Sequence, residues 1–111
     1  MNSLEISQKI DELKSKTLEK TQEYVRVFNP DDIGTCGFGL VKIKSVNSKT
    51  FRKNSKLYKE LISEFDIENG YLLIRPRLKY QSIDTYRFYL KELVCDLKIE
   101  GFEAEYHIWV D

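Results

Sequence analysis

The sequence predicts an α+β protein, a two-layer α/β sandwich in which a mixed sheet of about four strands packs with two to three helices. Two observations support this class. Helical and alternating apolar patterns follow one another in the order α-β-β-α-β-α-β. The predicted strands also carry charged residues on one face, whereas strands covered by helices on both faces would be apolar on both. We therefore expect part of one sheet face to contact water.

The 111 residues are sufficient for one compact domain with its own core and too few for two. We accordingly treat residues 1–111 as a single α/β domain. Eighteen basic and eighteen acidic side chains cancel. The global positive field typical of small nucleic-acid-binding domains is therefore missing, and any basic surface must be local.

The N-terminal segment, residues 1–20, has apolar residues at helical spacing, with Ser3 as a suitable N-cap. We predict an amphipathic helix that packs on the third helix or mediates association. Residues 22–28 crowd β-branched and aromatic side chains before an Asn-Pro stop, which favours a strand. A continuation of the first helix is the alternative, since Tyr24 and Phe28 would then lie on its apolar side.

The segment NPDDIGTCG, residues 29–37, is predicted to be a loop, and the alternating segment FGLVKIKSV, residues 38–46, a strand. The predicted strands on either side of this loop are suited to form a hairpin. The glycines of GTCGFG, residues 34–39, match neither the dinucleotide-binding nor the Walker spacing, and they precede a strand instead of a helix. We interpret them as turn residues.

A second helix is predicted from Asn54 or Ser55, with Asn69-Gly70 ending that unit. The strand YLLIRPRLKY follows at residues 71–80. A third helix, capped by Ser82 or Asp84 and stopped by Gly101, leads into the alternating strand of residues 102–110. Because strands joined through a helix normally run parallel, we expect the last three strands to lie parallel or nearly so.

The strand YLLIRPRLKY combines a proline with alternating positive charges. Pro76 cannot donate a ladder hydrogen bond, which predicts an edge strand or a central strand with a bulge. If its neighbour is the last strand, Glu103 and Glu105 would face its basic residues and neutralise part of them. The basic strand is then partly a device against edge-to-edge aggregation.

A basic surface is the main candidate site. No acidic residue interrupts the chain between Lys42 and Lys59, and the face of YLLIRPRLKY adds further cations beside Tyr71 and Trp109 as stacking platforms. The predicted partner-binding or nucleic-acid-binding face consists of Lys42, Lys44, Lys49, Arg52, Lys53, Arg75, Arg77 and Lys79. We predict that charge reversal at Arg75 and Arg77 weakens binding and leaves folding intact.

A second apolar stripe on the third helix is the other candidate. A helix that packs through one face would not need it. Either the first helix covers this stripe and forms a three-layer region, or the stripe is an interface with a partner or with a second copy. Its residues are Phe88, Tyr89, Cys95 and Ile99.

We find no constellation that names a reaction. Cys36 and His107 lack a third, orienting group, and Glu103 and Glu105 are explained more simply by basic neighbours than as a catalytic acid pair. No spacing suits a metal site, and no cofactor is expected. The two cysteines fit no disulfide framework, which indicates reduced thiols. Without a signal peptide or an apolar span, we expect a cytoplasmic protein that does not enter membranes, or a nuclear one if the source is eukaryotic.

These observations favour a small non-enzymatic protein that acts by binding another macromolecule. The leading hypothesis is a protein-binding adaptor or inhibitor, with a homo-oligomer as one form of that interaction. The alternative is a module that binds the RNA or DNA backbone through the basic sheet face. A small RNA-acting enzyme that uses basic residues alone is a third, weaker hypothesis.

Overall fold

The computed structural model describes residues 1–28, 37–79 and 82–110, and these residues form three helices and five strands. The helices are α1 (Ser3–Phe28), α2 (Lys56–Leu61) and α3 (Ile83–Ile99). The strands are β1 (Gly37–Val46), β2 (Lys49–Thr50), β3 (Asp66–Glu68), β4 (Tyr71–Ile74) and β5 (Phe102–Val110). The predicted α+β class is confirmed, and the predicted order of elements holds approximately. Most of the predicted loop at residues 29–37, with Cys36, lies outside the described residues.

The strands form one antiparallel sheet around β1. β5 pairs with β1 along one side, and β4, followed by the short β2, pairs with β1 along the other. β3 pairs with the outer side of β4. The order β5-β1-β4-β3, with α2 and α3 as the two crossovers, is the split βαβ arrangement of ferredoxin-like sandwiches, here preceded by α1 and extended by β2. Such an arrangement hosts many unrelated functions.

The prediction that the last three strands run parallel holds for β4 and β5 but is wrong for β1, which pairs antiparallel with both, because β3 was not predicted. β3 and β4 form a hairpin that reverses the chain between the two crossovers. Each crossover still connects two parallel strands, but an antiparallel strand lies between them in the sheet.

Two tight turns shape the sheet. Asn47 and Ser48 join β1 to β2, and Asn69 and Gly70 join β3 to β4; all four have positive φ, between 48° and 82°. Positive φ at both central residues is what a type I′ hairpin turn requires, and Asn-Gly is its favoured sequence. The Asn69-Gly70 pair therefore closes a hairpin, where the sequence analysis assigned it to the end of a helical unit.

The predicted strand at residues 22–28 is also wrong, and so is the hairpin built on it, since α1 continues to Phe28. Thr17 and Thr21 are fully buried, and their hydroxyls donate to backbone carbonyls one turn earlier, over 2.7 and 2.8 Å. Further along, Tyr24 stacks on Phe88 of α3 with ring centroids 4.4 Å apart. Packing against α3 thus outweighs the β propensity of the segment.

All three helices contribute to one core on the same face of the sheet. α1 packs on α3, and α3 lies across β5 and β1. Ser55 caps α2, its hydroxyl accepting the Tyr58 amide hydrogen over 3.1 Å. The central core residues, all 0–1% exposed, include Ile6, Ile10, Val41, Ile43, Val46, Phe51, Leu61, Leu72, Leu90, Leu93 and Leu97.

Candidate binding surface on the open sheet face

The face of the sheet opposite the helices, here called the open face, is set by the alternation of β1 and β5. On β5, Phe102 and Ala104 point into the core, while Glu103, Glu105, His107 and Trp109 are exposed. The register pairs Phe38 with Trp109 and Lys42 with both Leu73 and Glu105, which places these residues on the open face together. The open face carries Phe38, Leu40, Lys42, Lys44, Asp66, Glu68, Tyr71, Leu73, Glu103, Glu105, His107 and Trp109, and the segment after β4 adds Arg75 and Arg77 at its edge.

One end of the open face is apolar and aromatic. Phe38 and Trp109 remain 51% and 45% exposed, and their rings stack with centroids 5.6 Å apart. His107 continues the stack, 6.5 Å from Trp109. The two rings line a groove whose other lining residues are Gly39, Leu40, Arg75, Pro76 and Arg77. We call this groove and its lining residues the aromatic end.

The groove exists because the ladder between β1 and β4 stops early. The ladder ends at the pair of Val41 and Ile74, and the next residues along β4 are Arg75 and Pro76. Proline has no amide hydrogen to continue the ladder. Both predictions for this segment are therefore wrong, because β4 is an interior strand, neither an edge strand nor bulged, and it ends before Pro76.

Gly39 allows the aromatic end to lie close to the core. A Cβ at this position would lie 2.5 Å from the carbonyl oxygen of His107 and 2.5 Å from Cδ1 of Leu90. Only glycine fits between β5 and α3 here.

The two arginines of the aromatic end differ in their partners. Arg75 forms ion pairs with Asp66 and with Glu68, the latter over 3.7 Å, which ties the segment after β4 to β3. Arg77 is exposed and has no ion pair or hydrogen bond within the described part of the chain. The guanidinium of Arg77 is therefore accessible to an incoming anion without competition from an acidic side chain of the described residues.

The other end of the open face, here called the charged end, is occupied by paired charges. Lys44 lies 3.9 Å from Glu103, which also accepts the Ser45 hydroxyl over 3.1 Å. The Lys42 ammonium lies 5.5 Å from the centroid of the Tyr71 ring, and the register places Glu105 beside it on β5. The predicted neutralisation of basic residues by Glu103 and Glu105 therefore involves β1, and the basic strand is not their neighbour.

The eight predicted basic residues do not form one surface. Lys42 and Lys44 belong to the charged end, and Arg75 and Arg77 to the aromatic end. Arg52 and Lys53 line a separate depression with Tyr58 and the Asn69-Gly70 turn. Lys49 is exposed on β2, and Lys79 follows the segment after β4. A continuous basic sheet face is thus not what the fold provides.

The second apolar stripe is divided as well. Tyr89 is 3% exposed and packs in the core, so it is not part of a surface, and burial raises the pKa of its phenol to about 12. Phe88 is half-buried by its stacking on Tyr24 of α1. Cys95 and Ile99 are exposed, Ile99 by 76%. α1 therefore covers Phe88 and leaves the other two in contact with solvent.

Trp109 and Tyr71 were predicted as stacking platforms, but Phe38, Leu40 and Pro76 were not predicted to belong to one site. The sequence feature that could have indicated this site is the presence of Phe38 near the start of β1 and Trp109 near the end of β5. They meet only if the two strands pair antiparallel over their full length, which alternation alone does not determine.

Comparison with family models gives no match, and no curated protein or solved structure shows significant similarity to the chain. Among residues 1–28, 37–79 and 82–110, no helix is long and apolar enough to cross a membrane. The same residues contain no group of three or more His, Cys, Asp or Glu side chains placed to hold a metal ion.

Proposed function

We propose that the protein is a small non-enzymatic interaction protein, an adaptor or inhibitor, that binds another protein through the aromatic end of its open face. The observation that carries this proposal is the combination of an exposed, stacked Phe38–Trp109 pair with the guanidinium of Arg77, which has no ion pair within the described residues. Aromatic residues and arginine dominate the binding energy of protein interfaces.

The groove suits a partner segment with an apolar side chain beside a carboxylate. The apolar side chain would pack on Phe38, Trp109 and Leu40, and Leu40 at 7% exposure already forms a covered floor. The carboxylate would meet Arg77, whose planar guanidinium can donate two parallel hydrogen bonds to it.

Balanced charge on the open face favours a protein partner over nucleic acid. Lys42, Lys44, Arg75 and Arg77 are matched by Asp66, Glu68, Glu103 and Glu105, and several of these form ion pairs with one another. A surface that tracks a phosphate backbone gains its affinity from many unpaired cations. The single guanidinium of Arg77 would contribute little of this electrostatic affinity.

Trp109 is the only tryptophan and lies in the groove, so its fluorescence reports binding there directly. The probes are short peptides with a Phe-Asp pair and, as the matched control, the same peptides with Phe-Asn. We expect saturable one-to-one quenching by the Phe-Asp peptides. Arg77→Gln should weaken this binding about tenfold, the range for a hydrogen bond to a charged group.

Arg52→Gln is the matched control variant, because it removes an exposed arginine from a different depression. It should bind like the unmodified protein. Equal binding by the Phe-Asp and Phe-Asn peptides, or equal loss in the Arg52 and Arg77 variants, would contradict the proposed role of Arg77.

Binding of single-stranded RNA or DNA is the second candidate function. The stacked Phe38–Trp109 pair favours it, because aromatic rings accept bases of any sequence. The test is a titration of labelled RNA and DNA at low and at physiological salt. Tight binding that weakens steeply with salt would favour this alternative, whereas weak binding with a shallow salt dependence favours a protein partner.

A further inference from the structure

We infer that the outer edge of β5 accepts an extended strand of the partner protein, so that the partner adds a strand to the sheet next to the aromatic end. The inference rests on the proposed function and specifies how the partner docks. Strand addition of this kind combines main-chain hydrogen bonds with side-chain pockets at alternate positions.

The first argument is the length of the available edge. β5 has nine residues and pairs with β1 on one side along that whole length. No strand of the described ranges pairs with its other side. In an antiparallel ladder every second amide points away from the existing neighbour, so about half of the β5 amides are available to an incoming strand.

The second argument is the charge on the open face of β5. Glu103 is engaged by Lys44 and Ser45. Glu105 lies opposite Lys42 in the β1–β5 register, but within the described part of the chain its carboxylate forms an ion pair or hydrogen bond only with His107, 3.4 Å away on the same strand. A lysine or arginine of the incoming strand, opposite Glu105, would form a cross-strand ion pair with this carboxylate. Two residues beyond His107 the incoming strand would lie beside Trp109, where an aromatic side chain would extend the stack.

The third argument is the charge on the helix side of β5. Lys98 of α3 lines one depression with Ala104 and with residues of the charged end that include Glu103 and Glu105, so its side chain lies beside the β5 edge. Lys91 lies two helical turns earlier on the same flank of α3. Neither lysine forms an ion pair within the described residues. Acidic residues at the positions of the incoming strand that face α3 would match them.

Together these features define the partner segment. It is an extended strand with basic residues and one aromatic residue on the side that continues the open face, and acidic residues on the side that faces α3. The same features disfavour a second copy of this chain, because pairing β5 with itself would bring Lys91 and Lys98 of both copies toward each other along the helix side.

The test uses a designed peptide of about ten residues, matched to the length of β5, with this alternating pattern. A peptide of the same composition in scrambled order is the control. Amide hydrogen exchange, followed residue by residue by NMR, is measured on the whole protein with and without peptide. We expect the outward-pointing alternate amides of β5 to exchange quickly in the free protein and to become protected when the designed peptide is bound.

A charge swap tests the register. Glu105→Lys should weaken binding of the designed peptide about threefold to fivefold, since a cross-strand charge pair contributes up to about 1 kcal/mol. A peptide with glutamate in place of the matching lysine should regain affinity for this variant. Position 105 is exposed, so the unmodified protein and the Glu105→Lys variant should both fold.

Protection of alternate β5 amides, with recovery in the swapped pair, supports strand addition. The inference is overturned by the absence of binding, by equal protection with the scrambled peptide, or by protection that already exists in the free protein through a dimer. If the Phe-Asp peptides quench Trp109 while the β5 amides stay unprotected, strand addition is wrong and the proposed function of the aromatic end remains. Loss of both signals overturns the two together.

Discussion

Both ends of the open face contain aromatic and charged side chains. They differ in how many of those side chains have a partner within the protein. At the charged end, Lys44 and Glu103 satisfy one another, and Lys42 lies against the Tyr71 ring. At the aromatic end, Phe38 and Trp109 pair with each other but keep about half of their surface in contact with water, and Arg77 has no partner within the described residues. The difference shows that charge and aromatic content alone do not locate a binding site. The site is indicated by side chains that have no partner within the described residues.

The physical origin of the difference is where the ladders end. β5 and β1 pair over their full lengths, which brings Glu103 and Glu105 beside the basic residues of β1. On the other side of β1 the ladder with β4 covers three residue pairs and stops before Pro76. The charged end is therefore completed by neighbouring strands on both sides, whereas the aromatic end has a neighbouring strand on one side only.

The largest effect we predict is on the packing beneath the aromatic end. Gly39→Ala should lower the free energy of unfolding by about 2–3 kcal/mol, because its Cβ would meet the backbone oxygen of His107, which cannot move without the strand. Gly70→Ala is the matched control: it has nothing within 4 Å but a φ of +82°, and should lose about 1 kcal/mol. Urea unfolding of both variants measures the difference, and an equal loss would contradict the close approach of β5, β1 and α3.

The next effect concerns Tyr89, which lies on α3 beside the segment of Arg75 to Leu78. Its pKa is raised by burial to about 12, so above about pH 10 the unfolded chain releases this proton before the folded protein does. Stability should therefore be unaffected below pH 10 and fall between pH 10 and 12. At pH 11 the free energy of unfolding should be about 1.4 kcal/mol lower than at neutral pH on account of this group.

Tyr89→Phe removes the ionisable group and should remove this part of the decline. Spectrophotometric titration should show a late tyrosine ionisation near pH 12, and this step should be missing in the variant. Identical alkaline profiles of the two proteins would mean that Tyr89 is not buried as described.

A smaller effect separates the two arginines of the aromatic end. Arg75→Gln should cost about 0.5–1 kcal/mol of stability, because it breaks two partly exposed ion pairs that link the end of β4 to β3. Arg77→Gln should leave stability within about 0.3 kcal/mol, since Arg77 forms no ion pair in the part of the chain that the structure describes. Thermal unfolding of the two variants provides the comparison. Equal melting temperatures would show that the ion pairs of Arg75 contribute nothing to stability.

The smallest effect is expected at the charged end. Glu103→Gln breaks an exposed pair with Lys44 and should change stability by less than about 0.5 kcal/mol. Because the aromatic end does not include Glu103, peptide quenching of Trp109 should be unchanged in this variant. A clear loss of quenching would mean that the two ends act as one surface.

Local patterns predicted most of the elements, and the errors have identifiable causes. The periodicity of α3 and the alternation of β1 and β5 are long enough to be unambiguous. β3 has three residues and is separated from α2 by only four, so its alternation was too short to distinguish from the helical pattern. The Asn69-Gly70 turn was the signal that could have revealed it, since Asn-Gly between alternating residues favours a hairpin.

The candidate site was less predictable because it depends on pairing between distant strands. Phe38 and Trp109 are 71 positions apart and come together only through the β1–β5 register. The different pairing of Arg75 and Arg77 could not be predicted either, because the acidic partners of Arg75 lie on a strand that was not predicted. Side-chain composition identified the residue types, and only the fold showed which of them remain unpaired.

The most direct test of the account is to map amide chemical shifts by NMR while a Phe-Asp peptide is titrated into the protein. The account predicts that the largest changes cluster at Phe38, Leu40, Arg77 and Trp109, with little change at Lys44, Tyr71 and Glu103. Changes centred on the charged end, or spread equally over both ends, would contradict the central claim that the unsatisfied end of the open face is the binding site.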